Sequence, residues 1–450
     1  MFIGFDYGTA NCSVAVMENG QPTLLPLEGE NTFIPSTLCA PTREAVSEYL
    51  YRFMGISPAD SIGEQVLRRA INMNRDEDIE VEKGDLLFGQ AALDLYLADP
   101  EEVYYVKSPK SFLGANGLQD VQISFFEDLV CAMMANIKSQ AERSLSASID
   151  STMIGRPINF QGTGGEKANQ QAETILRRAA ERAGFKHIAF QFEPVAAGLE
   201  YESTLNEDKT VLVVDIGGGT TDCSMIQMGP SWAGKTERQS SLLAHSGLRV
   251  GGNDLDIYLA FRQIMPLLGM GSQTKKGIDM PVSQFWNPIA INNVVAQSDF
   301  YGSANFKTLD QLRRDAAEPE KLAKLIRVYH ETLGYQLVRN AEECKIALSE
   351  QALNRIDLGY LSDQLHVDVS QHELASAIEA PKAHISKLVE EAMVQSGVTP
   401  DVVYMTGGTA RSPVLRQCIE QLLPGTPVVS GSYFGSVTAG LARWAEHCFR

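Results

Sequence analysis

Val211-Leu212-Val213-Val214-Asp215-Ile216-Gly217-Gly218-Gly219-Thr220-Thr221-Asp222, followed by Cys223-Ser224-Met225-Ile226, is the stretch that decides the fold. An apolar run ends in aspartate, turns tightly on three glycines and continues as a second apolar run, the pattern of strand, turn, strand. Glycine lets the backbone take positive φ and approach a ligand closely. Successive backbone N–H groups in such a turn form a concavity for anions. A bare glycine-rich hairpin is the alternative, but two carboxylates flanking the glycines would repel each other without a cation. Phosphate with a divalent cation reconciles both features. The stretch is not a P-loop, because it lacks GxxxxGK[ST] and a following helix. Nor is it a dinucleotide fingerprint, since strand rather than helix follows it.

The amino terminus carries a second copy: Phe2-Ile3-Gly4-Phe5-Asp6-Tyr7-Gly8-Thr9-Ala10-Asn11, then Cys12-Ser13-Val14-Ala15-Val16. Alone this turn is a weak signal, and the other copy gives it weight. Strands and helices follow each copy. The first lead through Phe125–Leu145 (helix), Thr152–Gly155 (strand), Glu166–Ala183 (helix, capped by Gly184), His187–Phe192 (strand) and Val195–Tyr201 (helix). After the second copy come a mainly helical stretch, a polar interruption at 270–310, a clear helical region at Glu320–Ser349, and the strand Val402–Met405. We read an internal duplication giving two similar α/β lobes, 1–205 and 206–450, around a ligand cleft, with a helical subdomain at about 257–350.

Composition narrows the partners. With 450 residues, 44% apolar and 21% charged, the chain can build more than one large core. A net charge of −18 opposes a general nucleic-acid surface and an anionic membrane surface. Seven scattered cysteines without a CxxC pair suggest reduced thiols in a cytoplasmic setting. A strand at Phe2 leaves no room for a signal peptide, and no apolar run reaches membrane-spanning length. The acidic run Arg75-Asp76-Glu77-Asp78-Ile79-Glu80 reads as a solvated loop, and the seven histidines have no metal-ligand spacing.

Two further glycine segments fit the same theme less specifically. Thr406-Gly407-Gly408-Thr409-Ala410-Arg411-Ser412-Pro413 joins a strand to a helix, with Ser412 as N-cap and Pro413 as first helical residue. Gly251-Gly252-Asn253-Asp254 precedes another helix.

At these residues the chain resembles the nucleotide-binding part of the seventy-kilodalton heat-shock (DnaK-type) chaperones, within the actin-like ATPase superfamily. Glu28-Gly29 through Pro35-Ser36, Phe88-Gly89-Gln90-Ala91-Ala92, Lys110-Ser111-Phe112-Leu113-Gly114, Ala183-Gly184-Phe185 through Ala197, and Glu342-Glu343-Cys344-Lys345-Ile346-Ala347-Leu348-Ser349 are also similar to family segments, in family order. The overall look resembles stand-alone bacterial DnaK-like proteins of the YegD type. The resemblance implies a duplicated actin-like ATPase (ribonuclease H-like) α/β fold, two lobes around a nucleotide cleft with a mainly helical inserted subdomain. It departs at Ala10, where the family has threonine. It departs again at Phe434-Gly435-Ser436-Val437, where the family has acidic residues, and at 270–310. The family continues into an apolar linker and a peptide-binding domain. This chain ends first, so no C-terminal peptide-binding domain is expected.

The resemblance also implies roles. Asp6 and Asp215 would hold Mg2+, through water. Gly8, Thr9, Ala10, Asn11, Gly217, Gly218 and Gly219 would surround the phosphates, and Thr220 would contact the γ-phosphate. Lys110 would orient the attacking water. Glu193 and Asp222 would position water, metal or a monovalent cation such as K+. Gly251, Gly252, Glu342, Lys345, Ser349, Gly407, Gly408 and Arg411 would line the nucleotide site, with Arg411 stacking on the base. The implied activity is a slow conversion of ATP to ADP, coupled to lobe closure and to an unidentified client or co-chaperone. An actin-like regulatory or polymerising ATPase and a small-molecule kinase remain alternatives.

Overall fold

The apolar run before each aspartate becomes a central strand, flanked by one antiparallel and one parallel neighbour. In the computed structural model, residues 1–98, 102–160, 165–233, 235, 239–431 and 435–450 are described. Strands β1 (Phe2–Tyr7), β2 (Asn11–Glu18) and β3 (Gln21–Leu24) form an antiparallel meander, joined in parallel by β4 (Ser151–Arg156) and β5 (His187–Phe192). Their order is β3-β2-β1-β4-β5. A second sheet repeats this with β6 (Lys209–Ile216), β7 (Thr221–Met228), β8 (Leu242–Leu248), β9 (Val402–Thr406) and β10 (Val428–Ser430), in the order β8-β7-β6-β9-β10. Antiparallel pairing again precedes parallel pairing.

Even the loop lengths agree. Tyr7 pairs with Cys12 and Ile216 with Thr221, so four residues, 8–11 and 217–220, close each turn. Glu18 pairs with Gln21, making Asn19 and Gly20, both at positive φ, the expected two-residue hairpin turn.

The described chain divides into two compact units, Met1–Arg249 with Ile385–Ala410 and Ile419–Arg450, and Val250–His384 with Arg411–Cys418. Both sheets lie in the first unit. Helix α1 (Asp120–Leu145) and helix α2 (Gly165–Arg182) pack on the first sheet; Leu129, Met133 and Ile137 of α1 meet Ala172, Ile175, Leu176 and Ala179 of α2 in its core. Gly184, at φ +93°, ends that region, with the Phe185 N–H donating to the Ala180 carbonyl (3.1 Å).

Two more helices exchange places between the repeats. Helix α3 (Glu193–Glu202) closes the first repeat and packs on β6 and β7 of the second. Helix α4 (Ser436–Phe449) closes the second and packs on β1, β2 and β4 of the first. The two helices also touch each other: a Cβ on Gly440 would lie 1.8 Å from the Ala196 carbonyl oxygen, so only glycine fits this crossing.

Several expectations need adjustment. Helix α1 starts at Asp120, five residues before Phe125, because the Gln122 side chain accepts from the Gln119 N–H (2.9 Å) and secures an earlier start. Helix α3 starts at Glu193, with Pro194 in its first turn. Arg75 and Asp76 end the helix Ser61–Asp76 rather than belonging to a loop. In the second unit, 320–349 is not one helix. Pro319–His330 and Gly334–Ala347 are separated at Thr332, whose φ of +49° breaks the ladder. The polar 270–310 stretch holds the helix Val294–Tyr301 and the start of Ser303–Asp315. Pro413 does open a helix, but the Ser412 hydroxyl is buried without a hydrogen-bond partner, so it does not cap. Phe434 lies outside the described residues.

Candidate functional site

The two aspartate turns meet. A Cβ on Gly218 would lie 2.6 Å from Ala10 Cβ, and one on Gly219 would lie 2.6 Å from Thr9 Cγ2. Neither Gly8 nor Gly217, Gly218 or Gly219 is among the residues with positive φ. The expectation of left-handed backbone is therefore corrected: Gly8, Gly218 and Gly219 serve close approach, not unusual dihedrals, while a Cβ on Gly217 would meet nothing nearer than 3.5 Å. Gly407, at φ +86°, is the left-handed one, and a Cβ there would lie 2.6 Å from Asp215 Oδ1. Its neighbour Gly408 begins the short turn Gly408–Arg411, from which Thr409 Oγ1 donates to the Gly217 carbonyl (3.1 Å).

Carboxylates gather under the turns. Asp215 and Asp222 face each other across the β6–β7 ladder, both buried. Burial, with the charge of Glu193, pushes Asp6 up to about 7 and Asp222 up to about 8. The same causes, joined by Asp222 and Asp6, hold Asp215 well above the usual carboxylate range. Lys110, 4% exposed, lowers all three, and its Nζ donates to Glu193 Oε1 (2.5 Å) and to the Gly155 carbonyl (3.4 Å). Asp222 Oδ1 accepts from the Ile158 N–H (3.0 Å), and the Thr220 side chain bonds the same carboxylate. Buried like charges of this kind favour a cation or a proton.

The donors are all oxygen, which suits a hard divalent ion such as Mg2+. Among the described residues no three Asp, Glu, His or Cys side chains are grouped to hold a metal alone. Water and phosphate oxygens would have to complete its shell. Beside the turns lies a cavity of about 20 Å3 lined by Thr9, Lys110, Ser111, Gly219, Thr220 and Arg249, enough for one water molecule.

Asp6, Gly8, Thr9, Ala10, Asn11, Lys110, Glu193, Asp215, Gly217, Gly218, Gly219, Thr220, Asp222, Gly407 and Gly408 thus all belong to the first unit. Gly251, Gly252, Glu342, Lys345, Ser349 and Arg411 belong to the second. There Lys345 Nζ donates to Asp256 Oδ1 (2.7 Å) and to the Gly252 carbonyl (3.2 Å), joining two helices. Glu342 pairs with Arg339 (3.1 Å), and Arg411 pairs with Glu350 (3.1 Å). Ser349 lies past the end of its helix, its hydroxyl near the Lys345 carbonyl (3.4 Å). Sequence reasoning missed Arg249 and Ser111 as cavity residues; the only signal was their place beside Gly251-Gly252 and Lys110.

Comparison with known proteins places the chain. A family model described as "Hsp70 protein" matches residues 116–283. The chain is 23% identical over 437 residues to "Chaperone protein dnaK3" of Thermosynechococcus vestitus, covering 94% of this chain and 52% of that protein. It is 24% identical over 462 residues to "Chaperone protein dnaK" of Emiliania huxleyi (94% and 56%) and 24% identical over 438 residues to "Chaperone protein DnaK 1" of a Synechococcus strain (94% and 47%). Over these stretches the chain is similar to Hsp70 proteins. The repeated strand order with exchanged helices agrees with the actin-like ATPase fold that this similarity implies. The chain spans about half the length of the curated relatives it matches. Among its described residues no helix is long and apolar enough to cross a membrane.

Proposed function

We propose that this chain binds Mg2+-ATP at the paired turns, hydrolyses it slowly and lets the nucleotide state control lobe closure, in a chaperone-like role in the cytoplasm. The observation that carries this reading is the convergence of Asp6, Asp215, Asp222 and Glu193 with Lys110 under two touching glycine turns. In this reading the lobes are residues 1–205 and 206–450, each built on one repeat, with the helical part near 257–350. Bound Mg2+ would neutralise charge on the β- and γ-phosphate oxygens.

The chain's own groups do the rest. Asp6 and Asp215 would hold the ion's water shell, and the N–H groups of Gly8, Thr9, Ala10, Asn11, Gly217, Gly218 and Gly219 would surround the phosphates. Lys110 Nζ would orient the attacking water and face the γ-phosphate, with Thr220 alongside. Glu193 would hold Lys110 in place, and Asp222, beside K+ or water, would keep that nucleophile aligned. Gly251, Gly252, Glu342, Lys345, Ser349, Gly407, Gly408 and Arg411 would contact the rest of the nucleotide. A phosphate held by both turns would tie the lobes together, and its loss would shift the open–closed balance.

Titration calorimetry of the folded protein with millimolar Mg2+-ATP, alongside ATP turnover, tests the reading. Heat of binding and slow phosphate release are expected, and neither would be produced by a chain that binds no nucleotide. Pull-downs in the ATP and ADP states test for a client or co-chaperone, with a state-dependent partner expected.

A further inference from the structure

Ser36 sits at the end of a small sheet rather than in either turn, yet it touches the first turn from three sides. Strand Thr37–Ala40 pairs antiparallel with Tyr104–Lys107, and the ladder runs out at Ser36 and Ser108. There the Ser108 N–H donates to the Ser36 carbonyl (2.7 Å). Ser36 N–H donates to the Ala10 carbonyl (2.8 Å), and Ser36 Oγ donates to the Gly8 carbonyl (2.6 Å). Its hydroxyl proton being used, Ser36 Oγ is left as acceptor for the thiol of Cys12, 3.2 Å away, which burial keeps protonated by pushing it up to about 12. Ser36 itself is 1% exposed.

The other end of this chain of bonds leads to Lys110. Ser108 has a left-handed backbone (φ +58°, ψ +56°), unusual for a side chain other than glycine, and its buried hydroxyl has no hydrogen-bond partner. Pro109 and Lys110 follow at once in a short helical turn, with the Ser111 N–H donating to the Ser108 carbonyl (2.9 Å). A strained conformation of this kind persists only where its surroundings hold it. The surroundings here are the Ser36 carbonyl and the Lys110 turn.

We propose that Ser36 is a positioning residue: it clasps the first turn to the Lys110 segment, so that Gly8–Ala10 and the Lys110 ammonium keep one geometry. The inference deepens the ATP-hydrolysis reading and rests on it for its kinetic consequence. Ser36 touches no reacting atom. Its hydroxyl acts through the Gly8 carbonyl, and its backbone acts through Ser108.

The test compares Ser36→Ala, Ser36→Thr and, as a structural control, Ser47→Ala, which loses a buried hydroxyl bond to Asp128 (2.7 Å) elsewhere in the same unit. Removing one buried hydrogen bond from the clasp should lower kcat about tenfold, with KM for ATP within about threefold of wild type. Ser36→Thr should restore most of the loss, and Ser47→Ala should leave kcat unchanged. Amide hydrogen exchange, read by mass spectrometry without nucleotide, should speed up about tenfold across residues 104–113 in Ser36→Ala alone. A Ser36→Ala protein with wild-type exchange in that segment overturns the clasp. So does one whose kcat falls no further than that of Ser47→Ala. Should the threonine protein fail to fold, the alanine pair still decides. A wild-type protein that consumes no ATP would instead remove the hydrolysis reading, and the exchange measurement would still judge the clasp.

Discussion

The two turns are built on one plan and carry unequal loads. Both follow a buried central strand, both close with four residues, and both bring an aspartate to the same end of a mixed sheet. In the first, Asp6 faces Ser13 across the ladder; in the second, Asp215 faces Asp222. The first turn is gripped from outside by Ser36 and needs only Gly8, while the second is made of three glycines and abuts Gly407. The second repeat thus holds the paired charge and the first supplies the rigid frame. A duplicated fold can divide labour, because one backbone geometry leaves the facing residue free to change.

Giving the first repeat the charge of the second should have the largest effect. Ser13→Asp would bury a carboxylate opposite Asp6, at a position 1% exposed whose hydroxyl now lies 2.6 Å from Thr438 Oγ1. We expect a loss of at least about 3 kcal/mol in urea unfolding, greater at pH 8 than at pH 5. An unchanged midpoint would mean the two turns are electrostatically interchangeable. Next comes Lys110→Ala, which takes away the lysine that bonds Glu193 among these carboxylates. ATP turnover should fall at least about a hundredfold while calorimetric Mg2+-ATP affinity changes only severalfold. Unaltered turnover would take Lys110 out of the chemistry.

Asp222→Asn should act in the opposite direction on stability. Asp222 titrates near 8 when folded, above its ordinary 3.8. Its contribution is therefore fully present below pH 3.8 and is lost as pH rises through about 8. Asparagine keeps the acceptor for the Ile158 N–H and cannot ionise. The nucleotide-free variant should thus be more stable than wild type above pH 8, by on the order of 5 kcal/mol, the gap narrowing steadily as pH falls and vanishing near pH 4. Asp6, raised to about 7, would keep some slope in the variant. Equal stability of variant and wild type at pH 9 would contradict buried charge repulsion. The smallest effect belongs to the frame: Ser108→Gly relieves a left-handed residue and should raise the melting temperature, by about 1 kcal/mol in stability terms. A lowered melting temperature would show that Ser108 is not strained.

The fold was largely legible from sequence because its decisive parts are local. An apolar run ending in Asp6 or Asp215, a short turn and a second apolar run leave few options but strand, hairpin, strand. The stripe Ala168–Ala183 likewise has the spacing of a helix laid on a sheet. Helix ends were read less well. Gln122 reaching back to Gln119 and the reversal at Thr332 are single-residue events that periodicity does not register. The glycines were legible as a turn but misread in their reason, since close approach to Thr9 and Ala10 needs a neighbour more than 200 positions away.

By itself the sequence determined the doubled plan, the aspartates, the run of glycines and the lysine segment, since each depends on neighbours a few residues apart. Only tertiary structure decided that Lys110 bonds Glu193, that Ser36 ties the first turn to the lysine arm, and that helices α3 and α4 trade sheets. Those depend on how distant segments exclude water from one another. Burial, which sets the charge state of Asp6, Asp215 and Asp222, is a property of the packed whole rather than of any stretch of chain.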